Sequence, residues 1–218
     1  MVAFTRASGN SYSRDTALNA GALVLGNTSG SATGSGLVTV ADGATLAGTG
    51  IATGAIIAST AGSRFAAGDM TKDGVSSIGT LTLSGGLTAA SGASFAFDLN
   101  GTSADAIDFG TGTLALAGTV TFDFTSLGSV QTGTAYTLFT GSGDWSGSVG
   151  ASYVFNGPAG YVLDTSYGSG NGYIFDSSGR SLTVQFISAI PEPSTYALLA
   201  GLAGLLVVGV RRRSCKRR

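Results

Sequence analysis

The sequence predicts an all-β chain: a Gly-rich β-solenoid of the parallel β-helix type, an antiparallel C-terminal cap, and a single C-terminal transmembrane helix. Three observations predict it. Glycine supplies 36 of the 218 residues against only 3 prolines, and the glycines punctuate short runs in which Val, Leu, Ile and Phe alternate with small or polar residues. Such alternation puts every second side chain on one face of a strand, while glycine permits the left-handed backbone of tight corners. Short segments also echo one another along the chain. Finally, charge is segregated: six of the eleven Lys and Arg lie beyond residue 210, behind an uncharged apolar run.

At the N-terminus, residues 1–10 lack the apolar core of about 7–15 residues that an export leader needs. The expectation is a chain truncated at its front. Residues 10–50 then carry Asn10-Ser11-Tyr12, Asn19-Ala20-Gly21, Leu37-Val38-Thr39-Val40 and Gly43-Ala44-Thr45-Leu46-Ala47-Gly48. This stretch is similar to the autotransporter-associated β-strand repeat of bacterial passenger domains. It begins at the first residues, as if earlier copies had been removed.

The echoes set the period. Gly43-Ala44-Thr45-Leu46 returns as Gly62-Ser63-Arg64-Phe65 and as Gly92-Ala93-Ser94-Phe95. The step from Gly62 to Gly92 is longer than the step from Gly43 to Gly62, and the two become nearly equal if 69–77 loops out. Gly79-Thr80-Leu81-Thr82-Leu83 likewise returns as Gly112-Thr113-Leu114-Ala115-Leu116. A period of about 20 residues is one rung of a β-solenoid, whose coils bury a common core by stacking. The competing architecture is a β-sandwich, which the same alternation allows. Residues 1–118 are assigned to the solenoid.

Past Gly118 the texture becomes aromatic: five of the seven tyrosines lie between Tyr136 and Tyr173. Strands are expected at 119–124, 135–140, 152–155, 160–164, 173–176 and 181–187, with 168–172 (G-S-G-N-G) as a hairpin loop. Residues 119–188 form the expected antiparallel cap, which would cover the open edge of the solenoid.

Residues 189–218 close the chain. Pro191-Glu192-Pro193 precedes an uncharged run from Tyr196 to Val210 that includes Leu199, Leu202, Leu205 and Val208. The basic block Arg211, Arg212, Arg213, Lys216, Arg217 and Arg218 follows. As a helix the run would span about 22 Å, short for a bilayer core of about 30 Å, but snorkelling arginines extend its reach. Residues 1–190 hold eleven Asp against five Lys and Arg, so the positive-inside rule puts the basic block in the cytoplasm and the body outside. The order of motif, helix and Arg-rich end resembles the PEP-CTERM protein-sorting signal of Gram-negative bacteria. The resemblance implies recognition by an exosortase, transient anchoring in the inner membrane, and processing near the motif.

The catalytic inventory is thin. There is no histidine, which excludes His-based acid–base catalysis, Ser-His triads and the common zinc sites. Cys215, the only cysteine, lies in the basic block, and Lys72 is the only lysine before it. Asp98, Asp105 and Asp108 form the densest acidic group. They are expected on solvent-facing turns, although paired carboxylates are what a glycosidase needs. Residues 98–102 begin like a calcium loop, but Gly101 comes two places early and Phe109 stands where the bidentate Glu belongs. No catalytic residue, metal or cofactor is assigned. A single basic block without interleaved aromatics gives no nucleic-acid surface. The expectation is a non-enzymatic surface or extracellular-matrix protein with exosortase and the inner membrane as partners. An exopolysaccharide is a further candidate partner, approached through the aromatic set. The alternatives are a polysaccharide-binding or polysaccharide-acting module and a fragment of an autotransporter passenger.

Overall fold

A computed structural model describes residues 1–68 and 77–189. Met1–Ile187 forms one compact unit and Ser188–Arg218 a second. Among the described residues the chain is β throughout, with two short 3-10 turns at Ser146–Ser148 and Gly168–Gly170. No helix among them is long and apolar enough to cross a membrane. The expected transmembrane run, 196–210, lies outside the described residues.

The strands fall into three sheets. The first runs Val2–Phe4, Ala22–Leu25, Thr45–Gly48, Arg64–Ala67, Ser94–Gly101, Thr119–Val130 and Ser152–Asn156, every neighbouring pair parallel. The second stacks Thr16–Leu18, Val38–Val40, Ile56–Ala58, Leu87–Ala89 and Leu114–Leu116, also parallel. The third joins Ile51–Ala52, Thr80–Leu83, Ala106–Asp108 and Ala135–Thr140 in parallel. Ser181–Ser188 then pairs antiparallel with both Ala135–Thr140 and Tyr173–Asp176. From Thr45 to Val130 the chain visits first, third, second and again first sheet in repeated order. Among the described residues no sheet closes into a barrel.

Register explains the core. Leu23, Leu46, Phe65, Phe95, Phe122 and Phe155 occupy one row across the first sheet. Four phenyl rings in that row stack at 5.2, 5.4 and 4.9 Å, tilted by 21°, 17° and 17°. Parallel strands repeat at about 4.8 Å, so in-register rings meet in near-parallel contact. Val38, Ile56, Leu87 and Leu114 form the matching row of the second sheet, and Leu81, Ile107 and Phe139 that of the third. All of these rows except Phe155 are buried.

The Gly43, Gly62 and Gly92 echoes stand in register, as their common spacing from the core residue predicts. All three glycines have positive φ (69°, 82° and 90°) and turn the corner into the first sheet. Steps along the core row are uneven: the chain makes its shortest circuit from Leu46 to Phe65 and its longest from Phe122 to Phe155. Residues 69–76, within the expected loop-out, lie outside the described residues.

Two expectations are corrected. Leu81 and Leu114 are not equivalent: Leu81 pairs with Ile107 in the third sheet and Leu114 with Leu87 in the second. A Gly-Thr-Leu-x-Leu run suits any strand that starts at a corner, so the echo carries no information about the face. Nor is 119–188 antiparallel throughout. Thr119–Val130 and Ser152–Asn156 extend the parallel first sheet, and only the pairings of Ser181–Ser188 are antiparallel. Val120, Phe122 and Phe124 alternate inward as the earlier strands do, and alternation does not distinguish the two kinds of ladder.

Among the described residues the second sheet receives no further strand after Phe139. The Ser146–Ser148 turn lies against Leu114–Leu116 instead: Leu114 N donates to Asp144 O at 2.9 Å. The Ser148 hydroxyl accepts from Leu116 N at 3.0 Å and donates to Leu114 O at 2.9 Å. One buried serine thereby satisfies backbone groups of the terminal strand. Trp145 fills the interior beneath, edge-on to Phe109 at 5.7 Å and stacked on Phe175 at 6.0 Å.

Candidate functional site

The acidic group is the first place to look for chemistry, and it divides. Asp108 Oδ1 accepts from Gly110 N at 2.9 Å and from Thr140 Oγ1 at 3.4 Å, which ties it to the turn after its own strand. Asp98 and Asp105 meet where Ser94–Gly101 turns back through the two-residue strand Ser103–Ala104, antiparallel to Leu99–Asn100. This fold-back buries Asp105 completely, which corrects the expected solvent-facing position. Its Oδ1 accepts from Gly79 N and its Oδ2 from Asp98 N, both at 2.8 Å. Burial raises the Asp105 pKa to about 7, and the Asp98 charge adds to the rise; the two N–H bonds oppose it. A small cavity of about 160 Å³ adjoins, with Arg64, Asp98, Asp105 and Thr125 around Ala66, Ala67 and Ala96. With an amide on each oxygen, Asp105 ties the fold-back to the start of Thr80–Leu83. Among the described residues no group of acidic or cysteine side chains is arranged to hold a metal ion.

The larger concavity lies at the aromatic end. An open groove of about 540 Å³ is lined by Tyr153, Tyr173, Ile174 and Phe175 together with Gly168, Ser169 and Asn171. Tyr153 lies edge-on to Tyr173 at 5.7 Å and tilted against Phe175 at 5.4 Å, and Tyr173 leans on Phe155 at 4.8 Å. Burial, with Tyr173 adding, pushes the Tyr153 phenol up to about 12; it stays neutral and donates to Ser148 O at 3.1 Å. The loop beside the rings is not a hairpin: Tyr161–Leu163 and Tyr173–Asp176 both neighbour Ser181–Ser188 rather than each other. Gly168, Ser169 and Gly170 take φ of 63°, 57° and 100° in succession. Ser169 is thus a left-handed residue with a side chain, a conformation that costs free energy. The G-S-G-N-G run signals a loop, but nothing local to it signals the groove.

The remaining site residues of the sequence analysis lie outside the described residues: Pro191, Glu192 and Pro193, the run from Tyr196 through Leu199, Leu202, Leu205 and Val208 to Val210, and Arg211, Arg212, Arg213, Lys216, Arg217 and Arg218. No characterised protein and no solved structure matches the chain. Residues 189–213 match the PEP-CTERM protein-sorting motif, beginning one residue after the last strand ends at Ser188. The chain therefore carries the signal of exosortase-type sorting, which implies membrane-associated export to the cell surface or extracellular space.

Proposed function

We propose that this is an exported, non-enzymatic structural protein of the cell surface or extracellular matrix, with a β-solenoid body delivered by its C-terminal signal. The observation that carries the reading is the sorting motif at 189–213, which begins directly after the body's last strand. In this reading exosortase recognises Pro191-Glu192-Pro193, the 196–210 run anchors the chain transiently in the inner membrane, and the basic block stays cytoplasmic. The three-sheet rotation and the in-register core row support a solenoid body. Strands at Val38–Val40 and Thr45–Gly48 fall on marks shared with the autotransporter-associated repeat, and Ala22–Leu25 directly follows a third. The absence of histidine and the occupied oxygens of Asp105 favour structure over catalysis.

In the native host, mass spectrometry should find a mature form that ends between Ala189 and Pro193 and lacks everything from there to Arg218. Glu192→Ala should leave the membrane-bound precursor, and equal processing of both chains would remove the motif's role. Neutralising all six basic residues of the tail should weaken its retention in the cytoplasm. A protease added from the periplasmic side should spare a reporter fused after Arg218 and cut it in the neutralised variant. Cleavage of the reporter on the unaltered tail would invert the topology.

A further inference from the structure

We propose that the groove at the aromatic end binds an uncharged polysaccharide chain, with Tyr153 and Tyr173 as stacking surfaces and Ser169 and Asn171 as hydrogen-bonding groups. The inference rests on the surface or matrix role above and names the partner for it. Four observations converge. The groove is lined by two tyrosines and a phenylalanine, with no charged side chain among them, which suits a neutral ligand with apolar C–H faces and many hydroxyls. Its polar groups are unspent: the Ser169 hydroxyl, the Asn171 side-chain amide and the Tyr173 hydroxyl have no hydrogen-bond partner among the described residues. Ser169 and Asn171 are exposed, so a sugar reaches both without opening the core. Ser169 also keeps a side chain in a left-handed conformation between two glycines, where a third glycine would fit without strain.

The platform is rigid from below. A Cβ on Gly168 would collide with the Tyr173 carbonyl oxygen, so the loop lies directly on the strand that carries the ring. Phe155 backs Tyr173, and the Tyr153 hydroxyl is held by Ser148 O. The rings are therefore fixed before a ligand arrives, which lowers the ordering cost of binding.

The test uses the full chain in a detergent without sugar groups. Calorimetry and saturation-transfer NMR are run with cellohexaose as the neutral probe and an alginate hexamer as the anionic one. Cellohexaose should bind and its ring protons should receive saturation, while alginate should bind more weakly or not at all. Asn171→Ala and Tyr173→Ala should each weaken cellohexaose binding about tenfold. Ser169→Gly should weaken it several-fold while raising the unfolding midpoint. Since Tyr173→Ala removes packing as well, the exposed pair Asn171→Ala and Ser169→Gly decides the matter. The proposal is overturned if cellohexaose does not bind, if alginate binds better, or if both exposed variants bind as the parent does. Host processing of the same variants at the sorting motif separates failure of the groove from failure of the export reading.

Discussion

Phe122→Ala is expected to lower stability by about 3–5 kcal/mol, the range for truncating a packed aromatic residue. On a body of this size that is a fall of roughly 6–20 °C in the thermal midpoint. The magnitude follows from the number of rings that lose a neighbour. Phe122 stacks on Phe95 at 5.4 Å and on Phe155 at 4.9 Å, and it meets Phe139 at 5.6 Å and Tyr153 at 5.8 Å. It therefore links the in-register row of the first sheet to the third sheet and to the aromatic end. A collapse that refilled the space would have to shift strands held on both sides by parallel ladders, so the cavity should persist. Unfolding can be followed by the fluorescence of Trp145, the only tryptophan and fully buried. Thr125→Ala, on the exposed side of the same strand, should cost no more than about 0.5 kcal/mol. Equal midpoints for the two variants would show that the row does not carry the stability assigned to it.

What the sequence made legible depends on whether the constraint was local. The Gly43, Gly62 and Gly92 corners were readable because a corner glycine and the inward residue three places later recur together, and the backbone needs both. The expected strands from 135 to 187 lie close to those observed because each is a short alternating run between turn residues. Which sheet a strand joins was not readable, as Leu81 and Leu114 demonstrate. All three sheets ask for the same pattern, and the assignment is set by how much chain each corner consumes. Asp105 was misplaced for a related reason. In sequence it is one more aspartate among Ser and Gly. Its burial arises from Ser103 and Ala104 folding back onto Leu99–Asn100. Ser148 hides in the same way, since a serine that completes a sheet edge looks like any loop serine until Leu114–Leu116 lies beside it. The groove is less legible still. Tyr153 and Tyr173 sit on different strands with Tyr161–Leu163 between them in the chain, and the loop groups acquire meaning only when both rings are in place.

Asp105 should give the body a stability that falls as pH rises from about 4 to about 7. The sign follows from linkage. The ordinary Asp value, 3.8, applies to the unfolded chain and about 7 to the folded one, so the folded state binds the extra proton throughout that window. The stability is complete below about pH 4 and is lost as pH climbs through 7. Its size is at most about 4 kcal/mol, because each pH unit of difference is worth about 1.4 kcal/mol and the two amide bonds persist after ionisation. Asp144 and Asp176 titrate outside this window: hydrogen bonds from Ser146, and from Gly179 and Ser178, hold both below 3.8. Asp105→Asn removes the titration and should flatten the slope between pH 4 and 7. The amide keeps one acceptor for Gly79 N or Asp98 N and turns a donor toward the other, so some stability is lost at every pH. Asp105→Ala leaves both N–H groups unpaired and should cost about 2–5 kcal/mol at pH 5, with the slope equally flat. Asp108→Asn, which leaves the Asp105 carboxyl and its two amide bonds in place, should keep the slope, while Asp98→Asn, which removes a charge that adds to the rise, should reduce it only slightly. Denaturant midpoints at pH 4, 5.5 and 7.5 for the parent and these four variants measure it. A parent whose midpoint is level across the window, or an Asp105→Asn variant that retains the parent's slope, would mean that the buried carboxyl does not hold its proton into the neutral range.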